Sequence, residues 1–430
     1  MQTSQDLWQE SRFTGIFTSF GEITPRPYDP EVFMWGATAI ANASQNKSLN
    51  IGGAGWTKVA ARMACIGEAI ERFQAMPLQE DRFIYSSINN WPIDEPPIKP
   101  EQWALFHPEQ YQQKDFPFVP FTNNTFCNWV CFRAFDTGLP FWVPEEMAYL
   151  FPRLERTHLE TNCSTVDHDH RIHSIHSISA SISTGLSAGH LGQPILLRGL
   201  QEVIERDGIM GAWWGNYPLE EWEASFVFSL FDKQITSRII RPNLKYRFYR
   251  IDSPYSSNIT IVTVEGIDIE GYCFSAGASC RESLKQSWLK AILESIQGKY
   301  FVRYLKNEIN QGKAKPVIPE DFPDHALYYS LYPEKLPLTV LHNAKKMTNF
   351  VEFKQESLQI LSDQLGSKHP ILFRNITPKA VEETPWRVLK IVVPGLQPLH
   401  GNHKLAHLGG SLWRPRNLTD WAKIPPHPFA

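Results

Sequence analysis

Small and apolar positions recur at helical spacing from Lys58 to about Gln74, through Ala60, Ala61, Ala64, Cys65, Ala69 and Phe73. That period predicts an amphipathic helix. Two more helices are predicted, from Ile195 to Trp214 and from Glu282 to about Leu305. Alternating patterns predict strands over 126–135, over the stretch ending at Pro144, within 247–251 and 258–264, and over 388–393, where Pro394-Gly395 stops the last one. Each predicted helix follows a glycine-bearing segment that reads as a turn. These segments are Gly52-Gly-Ala-Gly55, Ser183-Thr-Gly-Leu-Ser-Ala-Gly189 and Ser275-Ala-Gly-Ala-Ser279. Residues 78–120 read as loop with short elements, 161–176 as a polar loop and 306–336 as linker. Strands alternating with helices indicate an α/β or α+β layout. The unequal spacing of the three turn-helix segments excludes a solenoid.

Composition narrows the class. A chain of 430 residues with 42% hydrophobic content can bury a sizeable core, so wholesale disorder is excluded. Lys and Arg total 42 against 45 Asp and Glu, a net charge of −3, which argues against a dedicated nucleic-acid binder. A local anion site remains open, because it needs only a few charges. No stretch approaches a membrane span and no signal-peptide pattern opens the chain. Six cysteines in this length do not form a disulfide scaffold, so a cytoplasmic, reduced protein is expected.

The candidate chemistry sits on the helices. The first carries Glu68, Glu71 and Arg72; the second carries Glu202, Glu205 and Arg206. Residues three and four apart share a helix face. Each helix therefore sets two carboxylates beside a guanidinium. One such triplet is usually a solvated face with weak ion pairs. Two copies among apolar neighbours point instead to oxygen ligands for divalent cations and bidentate arginines for phosphate. The third helix aligns Lys290, Glu294 and Gln297. Neither Gly-x-x-x-x-Gly-Lys-Ser/Thr nor Gly-x-Gly-x-x-Gly occurs. The pair Cys127 and Cys131 and the run His168, His170, His173, His176 lack zinc-site spacing. Pro425, Pro426 and Pro428 stiffen the chain end. A tail of that kind is expected to lose Pro428–Ala430 without loss of fold.

Taken together, Gly53-Ala-Gly55, Gly67-Glu-Ala-Ile-Glu-Arg72, Gly185-Leu-Ser-Ala-Gly189, Glu202-Val-Ile-Glu-Arg206 and Glu294-Ser-Ile-Gln297 resemble the YcaO family over about residues 50–400. Val393-Pro-Gly-Leu-Gln-Pro-Leu-His400, His407-Leu-Gly-Gly410 and the proline-rich end are similar to its azoline-forming branch. The resemblance implies an α+β, YcaO-type fold in which three glycine-turn and helix segments form one ATP site. It implies an N-terminal segment over 1–50, a catalytic domain over 51–424 and a tail over 425–430. The implied activity is an ATP-dependent, Mg2+-dependent cyclodehydratase that makes thiazolines or oxazolines from Cys, Ser or Thr of a ribosomal precursor peptide. Thioamide- or amidine-forming chemistry and a non-catalytic nucleotide-binding scaffold are the alternatives.

By position, the resemblance implies Glu68, Glu71, Glu202 and Glu205 as Mg2+ ligands. Ser187, Arg72, Arg206, Lys290, Glu294 and Gln297 are implied in ATP binding. The carboxylate of Ala430, on a tail shaped by Pro426 and Pro428, is implied at the reacting centre. Ala54, His190 and Pro194 depart from the family pattern. Implied partners are an E1-like or ocin-ThiF-like leader-binding protein, a flavin-dependent azoline dehydrogenase and a second copy of the chain. Nucleic acid and membrane are not expected.

Overall fold

The computed structural model describes residues 16–42, 47–73, 75–78, 81–150, 177–268, 270–347 and 354–430. The His168–His176 run lies outside them. Strands β1 (Phe17–Ile23), β2 (Phe33–Asn42) and β3 (Lys47–Gly55) form an antiparallel sheet, and α1 (Lys58–Arg72) folds back onto it. Thr57 caps α1 by accepting the Ala60 N–H at 3.1 Å.

The segment Gly52–Gly55 is not the expected turn: it is the end of β3. A Cβ on Gly53 would stand 2.2 Å from the Cys65 nitrogen and 2.5 Å from the Ala61 oxygen. Glycine is needed here so that a helix backbone can lie against a strand. Gly53→Ala is expected to destabilise the protein by at least ~2 kcal/mol, because backbone must move to admit the methyl group. A urea midpoint unchanged from wild type would contradict this packing.

The second sheet collects β4 (Phe83–Ser86), β5 (Cys127–Ala134), β6 (Pro140–Pro144) and β7 (Leu186–His190), with α2 (Glu145–Ala148) after β6 and α3 (Ile195–Trp213) after β7. Only Thr184-Gly185 turns before β7, so the turn expected over 183–189 is mostly strand. Cys127 and Cys131 both pack toward one aromatic cluster around Trp129 and Trp142, as small apolar residues do.

The third sheet contains β8 (Leu219–Trp222), then, after α4 (Ala224–Ser229) and α5 (Lys233–Ile239), β9 (Leu244–Ile251), β10 (Ile259–Asp268) and β11 (Gly271–Cys280). Helix α6 (Leu284–Asn310) packs on β11 and β10. The expected turn at 275–279 is also strand, for the reason seen in β3. A Cβ on Gly277 would lie 2.4 Å from the Ala291 oxygen of α6.

The 306–336 stretch is not a linker. Helix α6 runs through Asn310, and α7 (Phe322–Leu331) buries His325 and Ala326–Ser330. Asp321 caps α7 by accepting the Asp324 N–H at 2.8 Å. Strand β12 (Lys345–Met347) joins β8 in parallel, and α8 (Leu358–Leu365) leads back to the second sheet. There β13 (Leu372–Asn375), the short α9 (Lys379–Glu382) and β14 (Trp386–Val392) complete the order β4-β5-β13-β14-β7, with β6 on β5.

Four contacts decide where the chemistry falls. Helix α1 reaches β7, α3 reaches both β7 and β11, and α6 reaches β3. The three predicted helices therefore meet around one space, each carried by a different sheet.

Candidate active site

Near the end of α1, Glu68 accepts the Gly52 N–H at 3.4 Å, and Arg72 stands 3.7 Å from Glu68 and 3.6 Å from Glu71. In the middle of α3, Arg206 stands 3.8 Å from Glu202 and 3.6 Å from Glu205. Glu205 also accepts the Cys280 N–H from the end of β11 at 3.1 Å. On α6, Lys290 pairs with Glu294 at 3.2 Å. Gln297 lies against β3, where a Cβ on Gly52 would approach its Nε2 to 2.9 Å. The arginine contacts are too long for bidentate pairing, so these guanidinium groups balance charge without being locked to one carboxylate.

The carboxylates of different helices act on one another. Burial pushes Glu71 up to about 8; Arg72 opposes this, while Glu202 and Glu68 add to it. Burial pushes Glu205 up to about 7, with Glu294 and Glu202 adding and Arg206 and Arg281 opposing. Glu202 is raised by burial and by Glu294 against Arg206, Arg72 and Lys390. The Glu71 and Glu202 side chains keep 19% and 26% exposure, while Glu205 is buried, so the cluster is open to solvent on the side of Glu71 and Glu202. An all-oxygen set of mutually repelling carboxylates fits a hard divalent cation, which would relieve the repulsion. The flanking Arg72 and Arg206 fit phosphate, and the buried Arg72 Nε has no hydrogen-bond partner.

The raised carboxyls bear on metal affinity. Burial biases Glu71 and Glu205 toward their protonated forms in the metal-free protein, and a cation binding there displaces those protons. Mg2+ affinity is expected to rise as pH rises from about 6 to 8, with proton release on binding. Calorimetry in buffers of different ionisation enthalpy checks this. A Mg2+ affinity independent of pH would contradict the arrangement.

Two groups at this site lack any motif. Lys390 of β14 is 2% exposed, and its Nζ donates to the carbonyls of Ile182 at 3.2 Å and Thr184 at 2.7 Å. Burial pulls its amine down to about 8 against the pull of Glu202 and Glu71. The only local signal is one lysine inside the apolar run Val388–Val393. Arg281, just past β11, has no local pattern that marks it.

The remaining candidates divide. Ser187 is buried on β7, paired with Leu389 and adjacent to Ala188, whose N–H reaches Glu71. Ala54 is buried in β3, Pro194 precedes α3, and His190 ends β7 with its ring edge-on to Trp386 at 4.3 Å.

The tail is threaded into the core beside the end of α3. The Pro425 carbonyl accepts from Trp213 at 2.7 Å, the Pro426 carbonyl from Tyr329 at 2.6 Å and the His427 carbonyl from His325 at 2.7 Å. Pro426, Pro428 and Phe429 are buried and Ala430 is exposed. Trp213 lies roughly 12 Å along the helix axis from Glu205, at 1.5 Å per residue.

His427 stacks on His325 at 3.8 Å with rings 7° from parallel, and ring nitrogens of His325, His400 and His427 lie within 4.8 Å of one another. Parallel imidazoles cannot aim their in-plane lone pairs at a single ion. Both His427 nitrogens are also engaged, with the His400 carbonyl at 2.8 Å and the Phe429 N–H at 3.3 Å. The cluster is a neutral clamp on the tail; burial holds His325 near 3, His403 near 4, and His400 and His427 well below the usual value.

An open α+β fold with an oxygen-rich, arginine-flanked cleft between three helices defines a class suited to a metal cation and an anion. The sequence matches, over residues 52–397, the family described as YcaO cyclodehydratase, ATP- and Mg2+-binding. The chain belongs to the YcaO family. No curated protein sequence gives a significant match.

Solved structures share the fold. A heterocyclase in complex with substrate and cofactor is 16% identical with a TM-score of 0.68, covering 98% of this chain and 56% of that one. This chain therefore spans little more than half of that heterocyclase. The YcaO protein of Methanopyrus kandleri, bound with AMPPCP and Mg2+, is 16% identical with a TM-score of 0.55, covering 91% of this chain and 90% of that one. The E. coli microcin synthetase McbBCD complex is 15% identical with a TM-score of 0.59, covering 96% of each chain. Among the described residues, no helix is long and apolar enough to cross a membrane.

Proposed function

We propose that this chain is an ATP- and Mg2+-dependent peptide cyclodehydratase that forms thiazolines or oxazolines. The observation that carries the reading is the approach of Glu71, Glu202 and Glu205, from two helices, beside Arg72 and Arg206. In this reading Glu68, Glu71, Glu202 and Glu205 hold Mg2+. Arg72, Arg206, Lys290, Glu294, Gln297 and Ser187 bind the nucleotide, with Lys390 and Arg281 balancing charge. ATP, when bound, supplies the phosphoryl group that turns a poor leaving oxygen into a good one.

The reaction balances as follows. The Cys, Ser or Thr side chain of the peptide adds to the preceding amide carbon, and its proton is taken up by a base. The former amide oxygen receives the γ-phosphoryl group and departs as phosphate, with loss of the amide proton leaving the C=N bond. The net change is loss of one water from the peptide and conversion of ATP to ADP and phosphate. The tail carboxylate of Ala430 is the proposed proton acceptor, and Pro426 and Pro428 set its path.

The proposed context is cytoplasmic, with the chain as a homodimer. The microcin synthetase relative is a complex of several proteins and has also been seen with pro-MccB17 bound. That supports a ribosomal precursor peptide as substrate and an E1-like or ocin-ThiF-like protein presenting it. A flavin-dependent dehydrogenase acting on the azoline is the proposed later partner.

The test is mass spectrometry of a Cys/Ser/Thr-rich peptide incubated with the chain, its presenting partner and Mg-ATP. Loss of one water per ATP consumed is expected. Replacement of oxygen by sulfur would establish thioamide formation instead, and nucleotide binding without turnover would establish a scaffold.

A further inference from the structure

Glu205 is the most enclosed of the four candidate metal ligands. Its carboxylate accepts the Cys280 N–H at 3.1 Å, a backbone donor from another element. Such a donor is only as fixed as the segment that carries it. Cys280 ends β11, and Ser283 caps α6 by accepting the Gln286 N–H at 3.4 Å. Only Arg281, Glu282 and Ser283 connect the strand to the helix.

Glu282 anchors this connection on two sides. Its carboxylate receives a two-bond fork from Arg198 of α3, Nη1 to Oε2 at 2.6 Å and Nη2 to Oε1 at 2.8 Å. Arg198 also donates to Gln201 at 2.8 Å. The Glu282 carbonyl accepts the Glu356 N–H at 2.7 Å and the Asn258 side-chain amide at 3.1 Å. Arg198 precedes Glu202 by about one helical turn, so the fork stands on the helix that carries Glu202 and Glu205. Helix α3 and the end of β11 are thus tied twice, through Glu205 to Cys280 and through Arg198 to Glu282. Stability does not account for the second tie. Its side chains are 37% and 25% exposed, and ion pairs so open to water contribute little to folding. What a guanidinium fork adds is a defined geometry, which a lysine ammonium cannot reproduce.

We propose that Arg198 and Glu282 are positioning residues for the metal site. Their fork holds the connection after β11 so that the Cys280 N–H stays on the Glu205 carboxylate and orients it toward Mg2+. The proposal rests on Glu205 as a Mg2+ ligand, and not on which peptide reaction the chain performs. Losing a partner that orients a metal ligand costs about 10- to 100-fold in metal affinity.

The test compares Arg198→Lys, Arg198→Met, Glu282→Gln and the Arg198→Met/Glu282→Gln double variant with wild type. Affinity for Mg-AMPPCP is read by calorimetry, and exchange of the Cys280 amide hydrogen is read in the metal-free protein. Each single variant is expected to lose about tenfold in affinity. The double variant is expected to lose no more than either single one, because the two residues act as a unit. Exchange at Cys280 is expected to speed up in every variant while β9 keeps its protection. An unchanged thermal midpoint without metal is expected, and Arg198→Lys keeps the charge and stem should Arg198→Met fold poorly. Glu282→Gln carries the sharpest sign. If Arg198 met the nucleotide phosphates itself, removing its competing carboxylate would leave affinity unchanged or raise it, and that result overturns the proposal. Losses that multiply in the double variant, or wild-type exchange at Cys280, also overturn it. A lowered midpoint with wild-type affinity would make the fork a structural tie. Glu205→Gln with wild-type Mg-AMPPCP affinity would overturn the metal reading of Glu205 and the proposal with it. Weakened binding in Glu205→Gln beside unaffected fork variants overturns the proposal alone.

Discussion

Glu71→Gln and Glu205→Gln are each expected to lower peptide-dependent ATP consumption by about 10³-fold, the scale of losing one contact that stabilises developing charge. Both are expected to leave the metal-free protein at least as stable as wild type. The reason lies in the burial that raises these two carboxyls to about 8 and about 7. A raised carboxyl means that ionisation opposes folding, by about 1.4 kcal/mol for each tenfold gain in proton affinity. Glutamine keeps the shape, removes the charge and can still accept the Cys280 N–H through its carbonyl oxygen. Retained activity with lowered stability would identify the cluster as structural. Lost activity with unchanged or raised stability is the signature of residues kept for function at a cost in stability. Urea midpoints in chelator, set beside ATP turnover in Mg2+, separate the two.

The second large effect concerns the chain end, where burial of Phe429 argues against the expectation that Pro428–Ala430 can be removed without loss of fold. Phe429 is 2% exposed and packs edge-on to Trp213 at 6.4 Å. Phe429→Ala is expected to cost about 3–5 kcal/mol through lost burial and the cavity left behind. Deleting Pro426–Ala430 would also remove the acceptors of Tyr329 and His325. Deleting Ala430 alone leaves every one of these contacts. It moves the terminal carboxylate back by about 3.5 Å. A fall of about 10²-fold in turnover with an unchanged thermal midpoint is therefore expected if the carboxylate takes part in the reaction. Full activity in that variant would remove the carboxylate from the mechanism and leave the tail a purely structural strap.

The helices are legible in the sequence for a simple reason. Their apolar period continues over enough residues to outweigh local ambiguity, and α1, α3 and α6 run close to the expected spans. The glycine segments are harder, because glycine has two uses. It permits turns, and it lets a backbone approach another backbone; Gly53 and Gly277 serve the second use inside strands. Nothing local separates the two, since the demand comes from Cys65, Ala61 and Ala291 on helices packed across from them. Residues 306–336 read as linker because prolines around α7 mask a short helix whose Tyr329 is held by the tail through the Pro426 carbonyl.

The candidate site shows the same division. The spacing of Glu68 with Glu71 and of Glu202 with Glu205 determined that each pair shares a helix face, because a helix repeats every 3.6 residues. The composition determined that a near-neutral chain could still contain a concentrated charged site. Only the tertiary structure decided that the two pairs meet, that Glu294 faces them, and that Lys390 and Arg281 join them. Those contacts depend on α1 touching β7 and α3 touching both β7 and β11. A carboxylate acquires its raised pKa from burial and from neighbours distant in sequence, and no local pattern encodes either. The same holds for the tail: its stiffness is written in three prolines, but its anchoring is decided by Trp213, Tyr329 and His325, which the fold brings to it.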